Sequence, residues 1–166
     1  MWEMGDASVG VRVARLVDAE AVGILTERVY RAGGWAGERY SAVLLDGVAR
    51  IEHGVTFVAV VDGQVVGTVM VALPGTRFAN IARDGEGEVR MLAVDEDVRG
   101  RGVAALLMDA CERRIRDEGL AAVVLSTEPD MAAAHRLYER RGYRRRPEQD
   151  WRIGRVELLV YRRAPL

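Results

Sequence analysis

The sequence predicts an α/β fold, a mixed sheet with helices on both faces, built as one domain over residues 1–166. Three observations lead there. Apolar spacing switches repeatedly between a period of two, which marks strands, and the wider spacing of amphipathic helices. Two strand-like runs, Val55 to Val61 and Gln64 to Leu73, are separated only by Asp62-Gly63, the dipeptide of a tight hairpin. The central stretch from Gly87 to Glu118, GEVRMLAVDEDVRGRGVAALLMDACERRIRDE, reads as a strand, an acidic turn, a glycine-punctuated loop and a long helix.

Taken in order, Val9 to Val17 opens as a strand, with Val9, Val11 and Val13 on one face and Arg12 on the other. Asp18 to Arg31 follows as a helix with Ala21, Ile24, Leu25 and Val29 on one stripe, and Gly33-Gly34 ends it. Tyr40, Val43, Leu44, Val48 and Ile51 mark a second helix that closes at His53-Gly54. The hairpin comes next, then a loop from Pro74 to Glu86 rich in Gly, Arg and Asp, of the kind found at site mouths. The fourth strand is Glu88 to Val94. In the long helix after it, Val103, Leu106, Leu107, Ala110, Cys111 and Ile115 form the apolar stripe, and Asp109, Glu112, Arg113, Arg116 and Asp117 the polar side. Leu120 to Ser126 makes a buried strand. Pro129 and Asp130 open a last helix that Gly142 terminates, and Tyr143 to Arg146 and Val156 to Tyr161 form a final strand pair around the loop Pro147 to Arg155. The element order is therefore β-α-α-β-β-β-α-β-α-β-β.

Composition narrows the function classes. With 166 residues, 49% apolar and 30% charged, the chain can bury a sizeable core. A net charge of −1 gives no reason to expect nucleic acid or an anionic membrane as partner. No apolar run nears the roughly 18 residues a membrane span needs, and the opening MWEMGDASVG lacks the basic and apolar regions of a signal peptide. The one cysteine, Cys111, lies on an apolar helix face as a small hydrophobe; a cytoplasmic location fits the absence of any disulfide within the chain. Two separated histidines, His53 and His135, make no metal site, so no metal is expected.

The loop carries the chemistry. Arg99-Gly100-Arg101-Gly102-Val103-Ala104 places two glycines and small residues at the mouth of a helix, where bare N–H groups and the positive end of the helix dipole favour a phosphate. Gly100, Gly102 and Ala105 also satisfy the dinucleotide-binding spacing, with Glu128 near the expected acidic position. Against that reading, five residues separate strand from loop, and only the residues from 119 to 166 follow the helix, too few for a six-stranded nucleotide domain.

RGRGVA after the fourth strand and AAHRLYERRGY on the last helix give the chain a resemblance to the GNAT superfamily of acyl-CoA-dependent N-acyltransferases, and to a bacterial subgroup within it. Arg99, Gly102 and Ala104 match its Arg/Gln-x-x-Gly-x-Gly/Ala signature. Leu137, Tyr138, Gly142 and Tyr143 match its Leu-Tyr-x-x-x-Gly-Phe/Tyr signature. The resemblance implies fourth and fifth strands that splay at a bulge, with pantetheine between them paired to the main chain of Leu92, Ala93 and Val94. It implies an N–H near Leu92 polarising the thioester carbonyl, and a diphosphate on the N–H groups of Arg99, Gly100, Arg101, Gly102, Val103 and Ala104. Met131 stands where many relatives carry Asn, so that contact to the cofactor arm is weakened or supplied otherwise.

The resemblance also implies a reaction: acetyl transfer from acetyl-CoA to a primary amine of a small molecule, by direct attack in a ternary complex. Alternatives are a protein or peptide acceptor, or a silent acyl-CoA-binding module. Tyr138 matches the tyrosine that protonates the leaving thiolate, or is simply a core aromatic. Glu88 matches a strand position where several relatives place a base, or is a carboxylate paired with Arg90. His135 reads as surface or supporting. The acceptor region implied is Tyr30, Trp35, Tyr40, Asp150 and Trp151, aromatics with one acid that suit a small cationic amine or serve equally as core packing. A homodimer is compatible with the resemblance.

Overall fold

The computed structural model describes residues 7–166; residues 1–6, part of the stretch read above for a signal peptide, lie outside the described residues. Strand β1 spans only Gly10–Val13, shorter than the alternation suggests. The chain turns early into a 3-10 turn at Leu16–Asp18, where the Asp18 carboxylate accepts the Arg15 N–H at 2.7 Å and the Arg12 guanidinium at 2.7 and 3.0 Å. Helix α1 follows at Ala19–Ala32.

The single helix expected from Tyr40 to Ile51 is two, α2 (Glu38–Leu45) and α3 (Gly47–His53). Asp46 divides them with ψ 71, and its side chain accepts the Ala49 N–H at 2.9 Å, the N-cap bond that starts α3. Two glycines bring these helices against α1. A Cβ on Gly23 would stand 2.3 Å from the Leu45 carbonyl oxygen, and one on Gly47 2.0 Å from that of Ala19. Gly47→Ala gains up to about 1 kcal/mol of helix propensity, but the carbonyl cannot move without shifting α1, and such overpacking costs typically 1–3 kcal/mol. The expected result is a net loss of stability, read as a lower midpoint in thermal or urea unfolding.

Strands β2 (Val55–Val61) and β3 (Gln64–Ala72) meet at Asp62 and Gly63, both at positive φ (49 and 77), as the hairpin dipeptide requires. Then come β4 (Glu86–Val94), α4 (Val103–Asp117), β5 (Ala122–Thr127), α5 (Ala132–Arg140) and β6 (Arg144–Arg145). The stretch Pro147 to Arg155 is no plain loop. It holds a 3-10 turn at Pro147–Gln149 and strand β7 (Trp151–Ile153), which pairs antiparallel with β8 (Val156–Arg163) from Trp151↔Leu158 to Ile153↔Val156. The main sheet runs β1-β2-β3-β4-β5-β8-β6, with β7 attached to β8.

Two compact units make up the chain. One contains the residues up to Met70 with Met91–Ala110. Here β1 pairs antiparallel with β2 from Gly10↔Val60 to Val13↔Phe57, and Ala14, Val22 and Val58 form a core with Ile51, Val60 and Val65 around it. Gly67 on β3 leaves room for the head of α4, since a Cβ there would meet Val103 at 2.9 Å and Leu107 at 3.0 Å. The other unit contains Val71–Arg90 and Cys111–Leu166. Its β4 and β5 are parallel, and β5–β8 and β6–β8 antiparallel, so the sheet is mixed. Gly87 on β4 plays the same part under Ile115, which a Cβ would meet at 2.5 Å.

Candidate active site

In the first unit, β4 is broken in character at Met91. This buried residue has φ 55, a left-handed value uncommon for any residue but glycine and a departure from regular strand geometry of the kind found at a bulge. In the second unit, the parallel register of β4 with β5 runs from Glu86↔Ala122 to Val89↔Leu125. Met91 thus comes two residues past the end of that register, just before Leu92, Ala93 and Val94.

Beyond β4, Asp95 accepts the Asp97 N–H at 3.0 Å and the Arg28 guanidinium at 2.6 Å, fixing a 3-10 turn at Glu96–Val98. The loop then passes through Gly100 (φ 79) and Gly102 (φ 75), backbone values that disfavour a side chain. Not all six expected N–H groups are bare. Arg99 N–H is held by the Glu96 carbonyl at 3.3 Å and Arg101 N–H by that of Val98 at 3.4 Å. Among the described residues those of Gly100, Gly102, Val103 and Ala104 have no acceptor, and a Cβ on either glycine would meet nothing within 4 Å. Four N–H groups without an acceptor at the head of a 15-residue helix suit a diphosphate. The Arg99 and Arg101 side chains are exposed, and Arg101 Nη2 donates to the Ala7 carbonyl at 2.8 Å.

Tyr30, Trp35 and Tyr40 come together in the same unit. Trp35 and Tyr40 lie edge-on to Tyr30, with centroids at 6.1 and 6.2 Å. The turn after α1 makes this cluster, because the Trp35 N–H returns to the Tyr30 carbonyl at 2.9 Å.

In the second unit, Tyr138 is buried on α5, with its ring 5.6 Å from that of Tyr143 and 6.2 Å from that of Tyr161. Burial first, and the Cys111 thiol second, push the phenol above its ordinary value, so it stays protonated at neutral pH. Among the described residues no hydrogen bond falls on its hydroxyl. Cys111 is fully buried, and burial with the neighbouring Glu112 charge pushes its thiol well up, away from the reactive thiolate.

Glu88, 2% exposed, does not pair with Arg90. Its Oε2 accepts three successive backbone N–H groups, Asn80 at 2.7 Å, Ile81 at 2.9 Å and Ala82 at 3.1 Å, and so holds the loop before β4. Arg90 holds the same loop from the next outward position, donating to the Phe78 carbonyl at 2.8 Å. Met131 turns inward, its sulfur accepting the Glu128 N–H at 3.5 Å. His135 bonds Thr127 Oγ1 at 2.8 Å and the Glu128 carbonyl at 3.1 Å, a supporting position.

The second part of the expected acceptor region is also in this unit. Trp151 donates Nε1–H to Ser126 Oγ at 2.9 Å. The Asp150 carboxylate takes both Arg145 amino groups at 2.8 Å and the Val160 N–H at 2.9 Å; Arg145 chiefly holds its pKa below the usual carboxylate range. Arg145 also lies 5.5 Å over the Tyr161 ring.

Glu112, expected on the polar side of α4, is 3% exposed and binds Arg141, Tyr143 and Arg163. Its place on the edge of the apolar stripe, four residues after Met108 and three before Ile115, was the available signal. Among the described residues no cluster of three or more His, Cys, Asp or Glu is placed to hold a metal, and no helix is long and apolar enough to cross a membrane.

The profile of the Acetyltransferase (GNAT) family matches residues 21–143, and the chain belongs to that family. An uncharacterized N-acetyltransferase of Chlorobaculum tepidum, CT2212, is 34% identical over 126 residues, covering 75% of this chain and 71% of that one. Among solved structures, an acetyltransferase of the GNAT family from Staphylococcus aureus Mu50 aligns with a TM-score of 0.75 at 13% identity, over 95% of this chain and 99% of that chain. The PaiA N-acetyltransferase of Thermoplasma acidophilum, solved with coenzyme A, aligns with a TM-score of 0.70 at 12% identity, over 92% and 98%. The protein is therefore an acetyl-CoA-dependent acetyltransferase, with the fold of this family.

Proposed function

We propose that the enzyme passes the acetyl group directly to the primary amine of a small molecule in a ternary complex, with Tyr138 protonating the departing thiolate. The observation that carries this reading is a protonated phenol with no hydrogen-bond partner among the described residues, together with a sole cysteine too buried to carry an acyl group. Bound acetyl-CoA supplies the thioester that the amine attacks. The N–H groups of Gly100, Gly102, Val103 and Ala104 hold its diphosphate, Arg99 and Arg101 add charge, and the main chain of Leu92, Ala93 and Val94 pairs with its pantetheine amides. The bulge-like backbone at Met91 supports that pairing, because a bulge frees the next peptide groups from the regular ladder. A freed N–H near Leu92 polarises the carbonyl, a contribution of a few kcal/mol in favourable cases.

Glu88 is the group we assign to take the amine proton, through water, while its Oε2 keeps the loop in place. The clustered rings of Tyr30, Trp35 and Tyr40 receive the ammonium of the acceptor by cation–π attraction. Asp150, turned to Arg145, orients the strand carrying Trp151. The two units act as one acyltransferase domain over residues 1–166, a reading supported by the family match running through both.

Direct transfer predicts no acetyl-enzyme. Intact-mass analysis after mixing with acetyl-CoA and no amine should show the unmodified chain. A stoichiometric gain of one acetyl group, removed on adding an amine, would overturn the direct route.

A further inference from the structure

Glu112 ties together the end of α5. Its Oε1 accepts Arg141 Nε at 3.1 Å and the Tyr143 hydroxyl at 3.0 Å, while Oε2 accepts Arg141 Nη2 at 2.7 Å and Arg163 Nη1 at 2.9 Å. Arg141 and Tyr143 flank Gly142, whose φ of 86 is the left-handed stop of the helix. The backbone N–H groups of both also return to one acceptor, the carbonyl of Tyr138, each at 3.0 Å. The turn is thus held from two sides, by the Tyr138 main chain and by the Glu112 carboxylate. The Tyr143 ring that Glu112 fixes lies 5.6 Å from the Tyr138 ring, and Cys111, the residue before Glu112, sits beside the phenol.

Stability alone is a poor reason for such a cluster. A buried ion pair can often be replaced by apolar side chains of similar volume without loss, whereas fixing one geometry is a use to which buried charge is suited. Acid catalysis is sensitive to geometry, since a misplacement of about 1 Å can cost a hundredfold in rate. We propose that Glu112 is a positioning residue for acetyl transfer, fixing the turn after α5 through Arg141 and Tyr143 and so setting where the Tyr138 hydroxyl stands. The inference rests on the reading of Tyr138 as proton donor.

A double-mutant cycle on the full chain tests it, with kcat, KM for acetyl-CoA and thermal midpoint measured for each variant. Glu112→Gln should lower kcat by about ten- to a hundredfold with KM for acetyl-CoA near wild type. In a Tyr138→Phe background the same substitution should cause no further loss of kcat, because the group it positions is gone. Tyr143→Phe, which removes one hydroxyl and keeps the ring, should show a smaller loss with the same non-additivity; it carries the cycle if Glu112→Gln does not fold. Equal factors lost in both backgrounds, or a lower midpoint at unchanged kcat, would overturn the positioning role and leave Tyr138 as donor. A wild-type rate in Tyr138→Phe alone would overturn both.

Discussion

Replacing Tyr138 with Phe lowers turnover by about one to three orders of magnitude, the range for loss of a general acid. Phe keeps the ring and its contacts with Tyr143 and Tyr161. No protein hydrogen bond is lost among the described residues, so the thermal midpoint should move little. Acetyl-CoA affinity should stay near wild type, because a proton given up mainly in the transition state contributes to rate and not to ground-state binding. The raised pKa helps the assignment in one respect: at neutral pH the phenol is protonated, as a donor must be. Its strength as an acid is low, so the proton moves only as the thiolate develops beside it. A Phe variant that turns over at the wild-type rate, under conditions where chemistry is limiting, would remove Tyr138 from the mechanism.

Gly102→Glu should abolish the stabilisation that acetyl-CoA confers. In the wild-type protein that stabilisation is about 2.7 kcal/mol at a concentration a hundredfold above Kd. Two effects act at this residue. The left-handed backbone (φ 75) costs any L side chain roughly 1–2 kcal/mol. The carboxylate also projects where four N–H groups and the helix dipole favour an anion, replacing attraction for phosphate with repulsion. Gly102→Ala shares the backbone cost without the charge and separates the two. Ala should lower the apo midpoint yet keep a ligand shift, while Glu should lose the shift. A Glu variant with the full thermal shift would move the diphosphate elsewhere.

Much of this was legible locally. Asp62-Gly63 specifies its own turn, and the expected strands β2 and β3 match it closely, because a two-residue hairpin fixes register from the dipeptide alone. The Gly100–Gly102 loop was legible for the same reason: positive φ at fixed spacing leaves few residue choices. What escaped was set by partners distant in sequence or by a local signal outvoted by periodicity. Asp46-Gly47 is a breaker dipeptide, yet the apolar stripe through Leu44, Val48 and Ile51 runs across it, and the period suggested one helix where Asp46 caps a second. Glu112 looked solvated because its partners, Arg141 and Arg163, lie 29 and 51 residues away. Glu88 was read against its neighbour Arg90, but its acceptor role is with the loop at Asn80–Ala82, whose backbone N–H groups carry no sequence signature.

The measurement closest to the central claim is release of free CoA from acetyl-CoA across a panel of small primary amines, amino acids and peptides, with the acetylated product identified by mass. The account predicts CoA release that depends on the amine, matches acetylated small amine one to one, and is fastest with compact cationic acceptors. Acetylation of peptides alone would contradict the small-molecule assignment. Tight acetyl-CoA binding with no acceptor-dependent CoA release from any class would contradict the proposed transfer itself.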